Sequence, residues 1–273
     1  VSYWNGKTAI VTGASGGLGF SIADAFARAG ANVVLAARTQ ATLDEAAGKL
    51  QAVARPDAGG GTAVGIRCDV TRDEDVAELV EKTIERFGRI DAFVNNAGLS
   101  MRKAVLDTTV DDFREMMELN LLATVRCTRA AAPHLIASKG HLVNIGSLSG
   151  KAASRYLGAY PASKFAVTAY TQQLRLELAE TGLHVLLVCP GPIARDDGRV
   201  RSPEELAKLP ESARKPGGGV KVSRIKPEVL AAKIIAACER WQGELIVPWK
   251  AKILFTLMQT SPRLADWLVR KFT

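Results

Sequence analysis

Tyr160 and Lys164 stand four residues apart in the run Tyr160-Pro161-Ala162-Ser163-Lys164, and Ser147 lies thirteen residues before the tyrosine. Residues i and i+4 of a helix share one face, so a phenol and an ammonium at this spacing can point into one site. A free phenol ionises at a pKa of about 10 and is a poor base at neutral pH. A fixed positive charge beside it favours the phenolate, and lowering that pKa by about three units takes about 4 kcal/mol. Such a tyrosine can give a proton to a carbonyl oxygen or take one from an alcohol. A nearby serine hydroxyl can hold the same oxygen. An amphipathic helix can also carry Tyr and Lys with no chemistry attached, so the pair needs a setting.

The first element of that setting lies near the start of the chain. Residues 7–12 (Lys-Thr-Ala-Ile-Val-Thr) form a short apolar, β-branched run, followed at once by Gly13-Ala14-Ser15-Gly16-Gly17-Leu18-Gly19. Ile22, Ala23, Phe26 and Ala27 then recur at helical spacing. Strand, glycine turn and helix start make an anion site: glycine lets backbone approach a diphosphate, and the helix N-terminus offers free N–H groups and a positive dipole end. The glycines fall as G-x-x-G-x-x-G, with Gly17 extra, rather than G-x-G-x-x-G. The second strand, Asn32–Ala37, ends at Arg38-Thr39. An acid at this strand end accepts from the ribose hydroxyls of NAD, whereas a base suits the 2′-phosphate of NADP. Ala37 stands where the acid would be, and the Arg38 fork fits a phosphate, with Thr39 and Ser15 adding hydroxyls. NADP(H) is therefore expected over NAD(H), although Arg38 is also what a solvated surface would carry.

Six motifs in register carry a resemblance to a family. Thr12 through Gly19, Asn95-Asn96-Ala97-Gly98, Asn120, Ser147, Tyr160 through Lys164, and Pro190-Gly191 occur in the order and spacing of the short-chain dehydrogenase/reductases, over roughly residues 5–250. The resemblance implies a catalytic set of Asn120, Ser147, Tyr160 and Lys164. It implies cofactor contacts at Gly13, Ser15, Gly16, Gly17, Leu18, Gly19, Arg38, Thr39, Asp69, Val70, Asn96, Ala97, Gly98, Tyr160, Lys164, Pro190, Gly191 and Ile193. In that scheme Asp69 accepts from the adenine amino group, Val70 packs near the ring, and Asn96-Ala97-Gly98 lies along a ribose. Lys164 bonds the nicotinamide ribose, and Asn120 holds a water that relays protons. Asp69 in Asp-x-Thr-x-Asp equally suits a helix cap. One departure concerns the nicotinamide end: Arg195 stands where the family commonly has a Thr, so that contact falls to the Ile193 backbone, or Arg195 meets a diphosphate or an acidic substrate.

The elements that must position these residues are legible as an alternation. Strands are expected near 7–12, 32–37, 63–67, 90–94, 140–146, 183–189 and 244–247. Helices are expected near 17–29, 41–54, 73–87, 110–132, 158–180 and 227–240. Such alternation means an α/β fold, a Rossmann-like doubly wound parallel sheet of order 3-2-1-4-5-6-7 with helices on both faces. Ligand is then expected at the carboxyl ends of the strands. Residues 1–248 form the expected domain. Within it 193–226, rich in Pro, Gly and charge, break the pattern and read as a lid or a disordered segment, with a helix start at Ser202-Pro203-Glu204-Glu205; the resemblance implies a substrate loop here. Leu99, Ser100, Met101, Leu148, Ala153, Arg155 and Leu157 are expected to line the pocket with residues 193–222 of that loop.

Residues 249–273 read as an amphipathic helical tail. Ile253, Leu254, Leu257 and Met258 are expected on one face of its first helix, and Leu264, Trp267, Leu268 and Phe272 mark a second. The tail is expected to pack on its own domain or on a partner subunit; basic residues around it leave peripheral membrane contact open.

Composition bounds the function. The 273 residues are 47% hydrophobic and 23% charged, as in a globular protein. No run of apolar residues is long enough to span a membrane. The chain opens on Val-Ser-Tyr-Trp with no initiating Met and no signal pattern, and reads as a trimmed chain; the expected location is cytoplasmic. Cys68, Cys127, Cys189 and Cys238 read as core thiols in a reducing compartment, and His134, His141 and His184 show no metal spacing. The formal charge of +8 sits unevenly: 20 basic and 19 acidic residues up to 194, then 16 and 9. An anionic substrate, an acidic membrane surface and plain solubility each fit that excess, whereas no basic stretch interleaved with aromatics points to nucleic acid.

The expected activity is hydride transfer between nicotinamide and a small carbonyl or alcohol, in a homodimer or homotetramer joined through the 110–132 and 158–180 helices. A catalytically silent NADP-binding sensor and a membrane-surface reductase of lipid-like carbonyls are the alternatives.

Overall fold

A computed structural model describes residues 2–53, 61–194, 209, 214, 223–258 and 261–272. Arg195, the Ser202-Pro203 helix start and most of the expected lid lie outside the described residues. The strands are β1 (Thr8–Thr12), β2 (Asn32–Ala37), β3 (Ala63–Arg67), β4 (Ala92–Asn95), β5 (His141–Ile145), β6 (His184–Pro190) and β7 (Glu244–Val247). The helices are α1 (Gly17–Arg28), α2 (Gln40–Val53), α3 (Asp73–Phe87), α4 (Val110–Met117), α5 (Ala123–Ala137), α6 (Tyr160–Glu177), α7 (Pro227–Glu239), α8 (Lys250–Met258) and α9 (Pro262–Phe272). All strand pairs are parallel and the order is β3-β2-β1-β4-β5-β6-β7. The expected Rossmann-like sheet is therefore present.

Strand alternation feeds two core layers. Val11, Val33, Leu35 and Val94 turn to one face, where Ile22 and Phe26 of α1, Leu43 and Leu50 of α2, and Leu230 and Ile234 of α7 cover them. Ile10, Val34, Phe93 and Leu142 turn to the other, under Val76 and Leu79 of α3 and Cys127, Ala131 and Leu135 of α5. Burial explains why β1, β4, β5 and β6 read as continuous apolar runs: both faces of each are covered.

The single helix expected over 110–132 is interrupted. A π-helical turn, Glu118–Leu122, separates α4 from α5, and the helical run continues to Ala137. Such turns insert one extra residue and re-aim the side chains around it.

The amino end of the sheet holds a buried polar cluster that sequence spacing does not disclose. His141 begins β5 and His184 begins β6, so pairing puts them side by side. Their Nδ1 atoms lie 2.9 Å apart, His141 Nε2 is 2.7 Å from the Tyr3 hydroxyl, and His184 Nε2 is 2.8 Å from the Gln242 carbonyl. The carbonyl can only accept, so His184 carries its proton on Nε2 and takes one from His141 Nδ1, while Tyr3 donates to His141. Cys238 also lies within reach of both rings, so the three have the donors of a metal site, but the hydrogen-bond chain closes without an ion.

Burial, and secondarily His184 and Lys7, push His141 down to about 3; burial foremost, with Arg175, lowers His184 against the pull of the Gln242 carbonyl. The unfolded chain protonates His141 below about 6.5, while the folded chain resists until near 3. Stability should therefore fall as pH drops from 6.5 towards 3, by about 1 kcal/mol per pH unit for this one group. Urea unfolding measured across that range should show the slope, and His141→Gln should flatten it by about that amount. An unchanged slope would mean that the folded protein already carries the charge.

Candidate active site

The strand order reverses between β1 and β4, and their carboxyl ends diverge there. The two strands pair as far as Val11 and Val94. Beyond that point the Thr12 hydroxyl donates to the Val94 carbonyl (3.2 Å) and accepts from the N–H groups of Asn96 (3.0 Å) and Ala97 (3.1 Å). Asn96 Nδ2 returns the link, donating to the Thr12 carbonyl at 2.9 Å. A Cβ at Gly13 would sit 3.1 Å from Ala97 Cα, at a φ of +64° that already favours glycine. One at Gly19 would sit 2.2 Å from the Gly13 carbonyl oxygen, which only glycine avoids.

The remaining glycines of the turn face outward. Gly16 and Gly17 are exposed, and a Cβ built on either meets nothing within 4 Å. No side chain caps α1 and no acid stands in its first turn. The start of α1 therefore presents N–H groups and open space, which fits the diphosphate of a dinucleotide. Ser15 is exposed on the same turn, and Leu18 is half-buried behind it.

Arg38 and Thr39 are exposed just past the end of β2, next to that turn in the sheet order. Asp69 lies past the end of β3. Its Oδ1 accepts from the Thr71 N–H (3.0 Å) and hydroxyl (2.7 Å), so it closes a local turn rather than capping α3, whose N-cap is Arg72. Burial alone would raise its carboxyl. The two Thr71 bonds, with Arg38 and Arg72, outweigh that and hold it below the usual carboxylate range. Val70 is buried beside it.

The four residues expected to do chemistry come from three elements. Ser147 follows β5 and caps the short turn Leu148–Gly150, its Oγ accepting from Ser149 N at 3.0 Å. That acceptor duty directs the hydroxyl's own hydrogen elsewhere. Tyr160 opens α6 with Pro161 behind it, a first-turn position where proline's missing N–H costs nothing. Lys164 is one turn on, its Nζ 6.0 Å from the Tyr160 ring centroid. The lysine is 7% exposed, and its ammonium donates to the Ile145 carbonyl at 2.8 Å. Burial pulls its pKa down to about 8. A Cβ at Gly150 would lie 2.5 Å from the Lys164 carbonyl oxygen, so the Ser147 turn packs directly on α6.

Asn120 sits in the π-helical turn, 1% exposed. Its Oδ1 accepts from Leu99 N (2.9 Å), and its Nδ2 donates to the Leu99 carbonyl (3.0 Å) and to Ser163 Oγ (2.9 Å). It thus clamps the strand end after Gly98 onto α6. Pro190 ends β6, and Gly191 N donates to the Val247 carbonyl at 2.8 Å. Ile193 bridges Ile225, which ties the two ends of the loop together.

Three contributors do not stand out in the sequence. Thr12 and Ser163 are only letters within motifs, and Gly150 lies outside them. The signal that finds them is three-dimensional: a buried hydroxyl with three partners, a hydroxyl bridging two elements, and a position with no room for a side chain.

Comparison with known proteins matches this arrangement to a family. The family model described as short chain dehydrogenase matches residues 7–205. An L-fucose dehydrogenase of Oryctolagus cuniculus is 43% identical over 189 residues, covering 69% of this chain and 63% of the rabbit protein, so the match spans less than two thirds of that relative. Among solved structures, an alcohol dehydrogenase of Thermococcus sibiricus complexed with 5-hydroxy-NADP is 28% identical, with a TM-score of 0.73 over 88% of this chain and 95% of that one. A short-chain dehydrogenase/reductase of Burkholderia phymatum in complex with NAD is 23% identical and shares the fold, with a TM-score of 0.81 over 97% of this chain and 96% of that one. With most of the sheet and the whole motif series inside the matched region, the chain belongs to the short-chain dehydrogenase/reductase family of oxidoreductases.

Proposed function

We propose that this chain is an NADP-dependent oxidoreductase that moves a hydride between nicotinamide and a small carbonyl/alcohol pair through Asn120, Ser147, Tyr160 and Lys164. The observation that carries the reading is the buried Lys164 ammonium one helical turn from Tyr160. A buried charge is costly unless it is paired, and it strengthens electrostatics locally.

The nicotinamide, when bound, donates or accepts the hydride. The protein's work is with the oxygen. Tyr160 gives its phenolic proton to that oxygen during reduction and takes it back during oxidation. Lys164, still mostly protonated at neutral pH, favours the phenolate. Ser147 donates its hydroxyl hydrogen to the oxygen as negative charge develops there. Asn120 acts as a positioning residue, since its amide holds Leu99 and Ser163 in place.

The cofactor would be held by Gly13, Ser15, Gly16, Gly17, Leu18 and Gly19 at its diphosphate. Asp69 and Val70 would meet the adenine, Asn96, Ala97 and Gly98 the ribose, and Pro190, Gly191 and Ile193 the nicotinamide end, with Tyr160 and Lys164 at its ribose. Arg38 and Thr39 would take the 2′-phosphate, and the missing acid at Ala37 removes the repulsion that phosphate would meet. The NADP derivative in the Thermococcus relative supports the same class.

Exposed Val110, Phe113, Leu122 and Phe165 on α4–α6 support a homodimer or homotetramer joined there. Four buried thiols, with no disulfide among the described residues, support a reducing, cytoplasmic setting.

Tyr160→Phe should lower kcat about 100-fold or more while NADPH binding by fluorescence titration stays within about threefold. Retained turnover would remove Tyr160 from the chemistry. Arg38→Asp should weaken NADPH about tenfold or more and leave NADH equal or tighter; an unmoved ratio of the two would reject the 2′-phosphate assignment. Lys164 loses its proton in the cofactor-free protein as pH rises through about 8. NADPH affinity should therefore decline above that pH, and Lys164→Met should bind more weakly and without the decline. A wild-type profile that stays flat to about pH 9.5 would place the titration elsewhere.

A further inference from the structure

The two helices after β7 carry more apolar surface than the fold covers. On α8, Phe255 is buried, with Ala251, Leu254 and Met258 part-buried on the same side, and the helix lies against β7 and α9. Trp249, just before α8, is 66% exposed, Ile253 55% and Leu257 49%. These recur every fourth residue and form one stripe. Leu264 and Trp267, three apart on α9, are also exposed. The expected single face of Ile253, Leu254, Leu257 and Met258 is thus split: Leu254 and Met258 turn in, Ile253 and Leu257 turn out.

Charge selects what could cover the outer stripe. Residues 249–273 hold five basic residues and one acid, Asp266. Lys250, Lys252, Arg263 and Arg270 are exposed on the same two helices. The exposed apolar residues of α4, Val110 and Phe113, are interleaved with Asp111, Asp112 and Glu115 instead. A second copy of the tail would bring like charge against like charge. Neither helix is long enough to cross a bilayer: nine and eleven residues rise about 14 and 17 Å, against a hydrocarbon core of about 30 Å.

We propose that the outer face of α8 and α9 docks peripherally on an anionic phospholipid bilayer. Trp249, Ile253, Leu257, Leu264 and Trp267 enter the headgroup–acyl boundary, and the four cations meet headgroup phosphates. Tryptophan suits that depth because an apolar ring carries one polar N–H. Basic residues near such a surface each add to the attraction and lose it in salt. The proposal is independent of the reaction assigned above.

The test is co-sedimentation of the full chain with vesicles of about 70% phosphatidylcholine and about 30% phosphatidylglycerol, against phosphatidylcholine alone, at about 0.1 M salt. The bound fraction should be about fivefold higher on the anionic vesicles and fall at about 0.5 M salt. Trp249→Ser/Trp267→Ser should lose about tenfold in binding, and Lys250→Glu/Lys252→Glu should erase the preference for anionic lipid. NADPH binding and thermal midpoints confirm that the variants remain folded. Three results would each overturn the proposal. The first is equal partition on the two lipids. The second is wild-type binding by both variants. The third is sedimentation velocity in which the tryptophan variant converts a larger oligomer to a smaller one, assigning the stripe to a second copy. If the tryptophan variant fails to fold, the lipid comparison and the lysine variant still decide.

Discussion

A parallel sheet that reverses its winding direction must separate a pair of its strands, and the separated backbone still needs hydrogen-bond partners. Here β1 and β4 diverge after Val11 and Val94, and Thr12 fills the gap. One hydroxyl takes two N–H groups and serves one carbonyl, and the Asn96 amide closes the link from the other side. The crevice this leaves is fixed in width by bonds rather than by packing. Gly13 lies against Ala97 and Gly19 against Gly13, so the turn leaves no room for a side chain at either position. The glycine turn, the strand end after Gly98 and the clamp from Asn120 are all hung from this stitch.

The same logic runs sideways through the sheet. Asn95 Nδ2 donates to Asn144 Oδ1 at 2.8 Å, Asn144 Nδ2 to Thr171 Oγ1 at 3.0 Å, and the Thr171 hydroxyl to the Val167 carbonyl at 2.7 Å. This buried relay joins β4, β5 and α6, the helix that presents Tyr160 and Lys164. A buried polar chain is costly when half satisfied and rigid when complete. Here it is complete between its ends, and it holds α6 at a set distance from the strand whose end lines the crevice.

How much of this is legible in the sequence depends on whether the signal is local. The strands and helices are, because apolar runs, β-branched residues and glycine turns are written along the chain. Boundaries differ where tertiary packing decides them: β4 starts at Ala92 rather than 90, and α6 opens at Tyr160 rather than 158. The π-helical turn is not legible, since nothing about Glu118–Leu122 distinguishes it from ordinary helix except an asparagine in its middle. The candidate site is legible as a set of letters in register, but its supports are not. Thr12, Ser163 and Gly150 act through neighbours 84, 43 and 14 residues away. The histidine pair is hidden for the same reason, being 43 residues apart and adjacent only because β5 pairs with β6.

The two ends of the sheet treat buried ionisable groups in opposite ways. At the amino end, His141 is packed against Trp4, Tyr3 and Trp241, and its neighbours His184 and Lys7 disfavour charge. A neutral chain with fixed tautomers is the stable outcome, and the cluster joins the N-terminal segment to the core. At the carboxyl end, burial lowers Lys164 as well, but only to about 8, so the ammonium survives at neutral pH with the Ile145 carbonyl as its partner at 2.8 Å. An ammonium has three donors, and a buried one gains from each acceptor it meets. In the proposed site, a dinucleotide ribose and the Tyr160 phenolate oxygen would be two such acceptors. Under the proposed reading, the cost of burying that charge is a stored preference for a bound cofactor, held one helical turn from the Tyr160 hydroxyl.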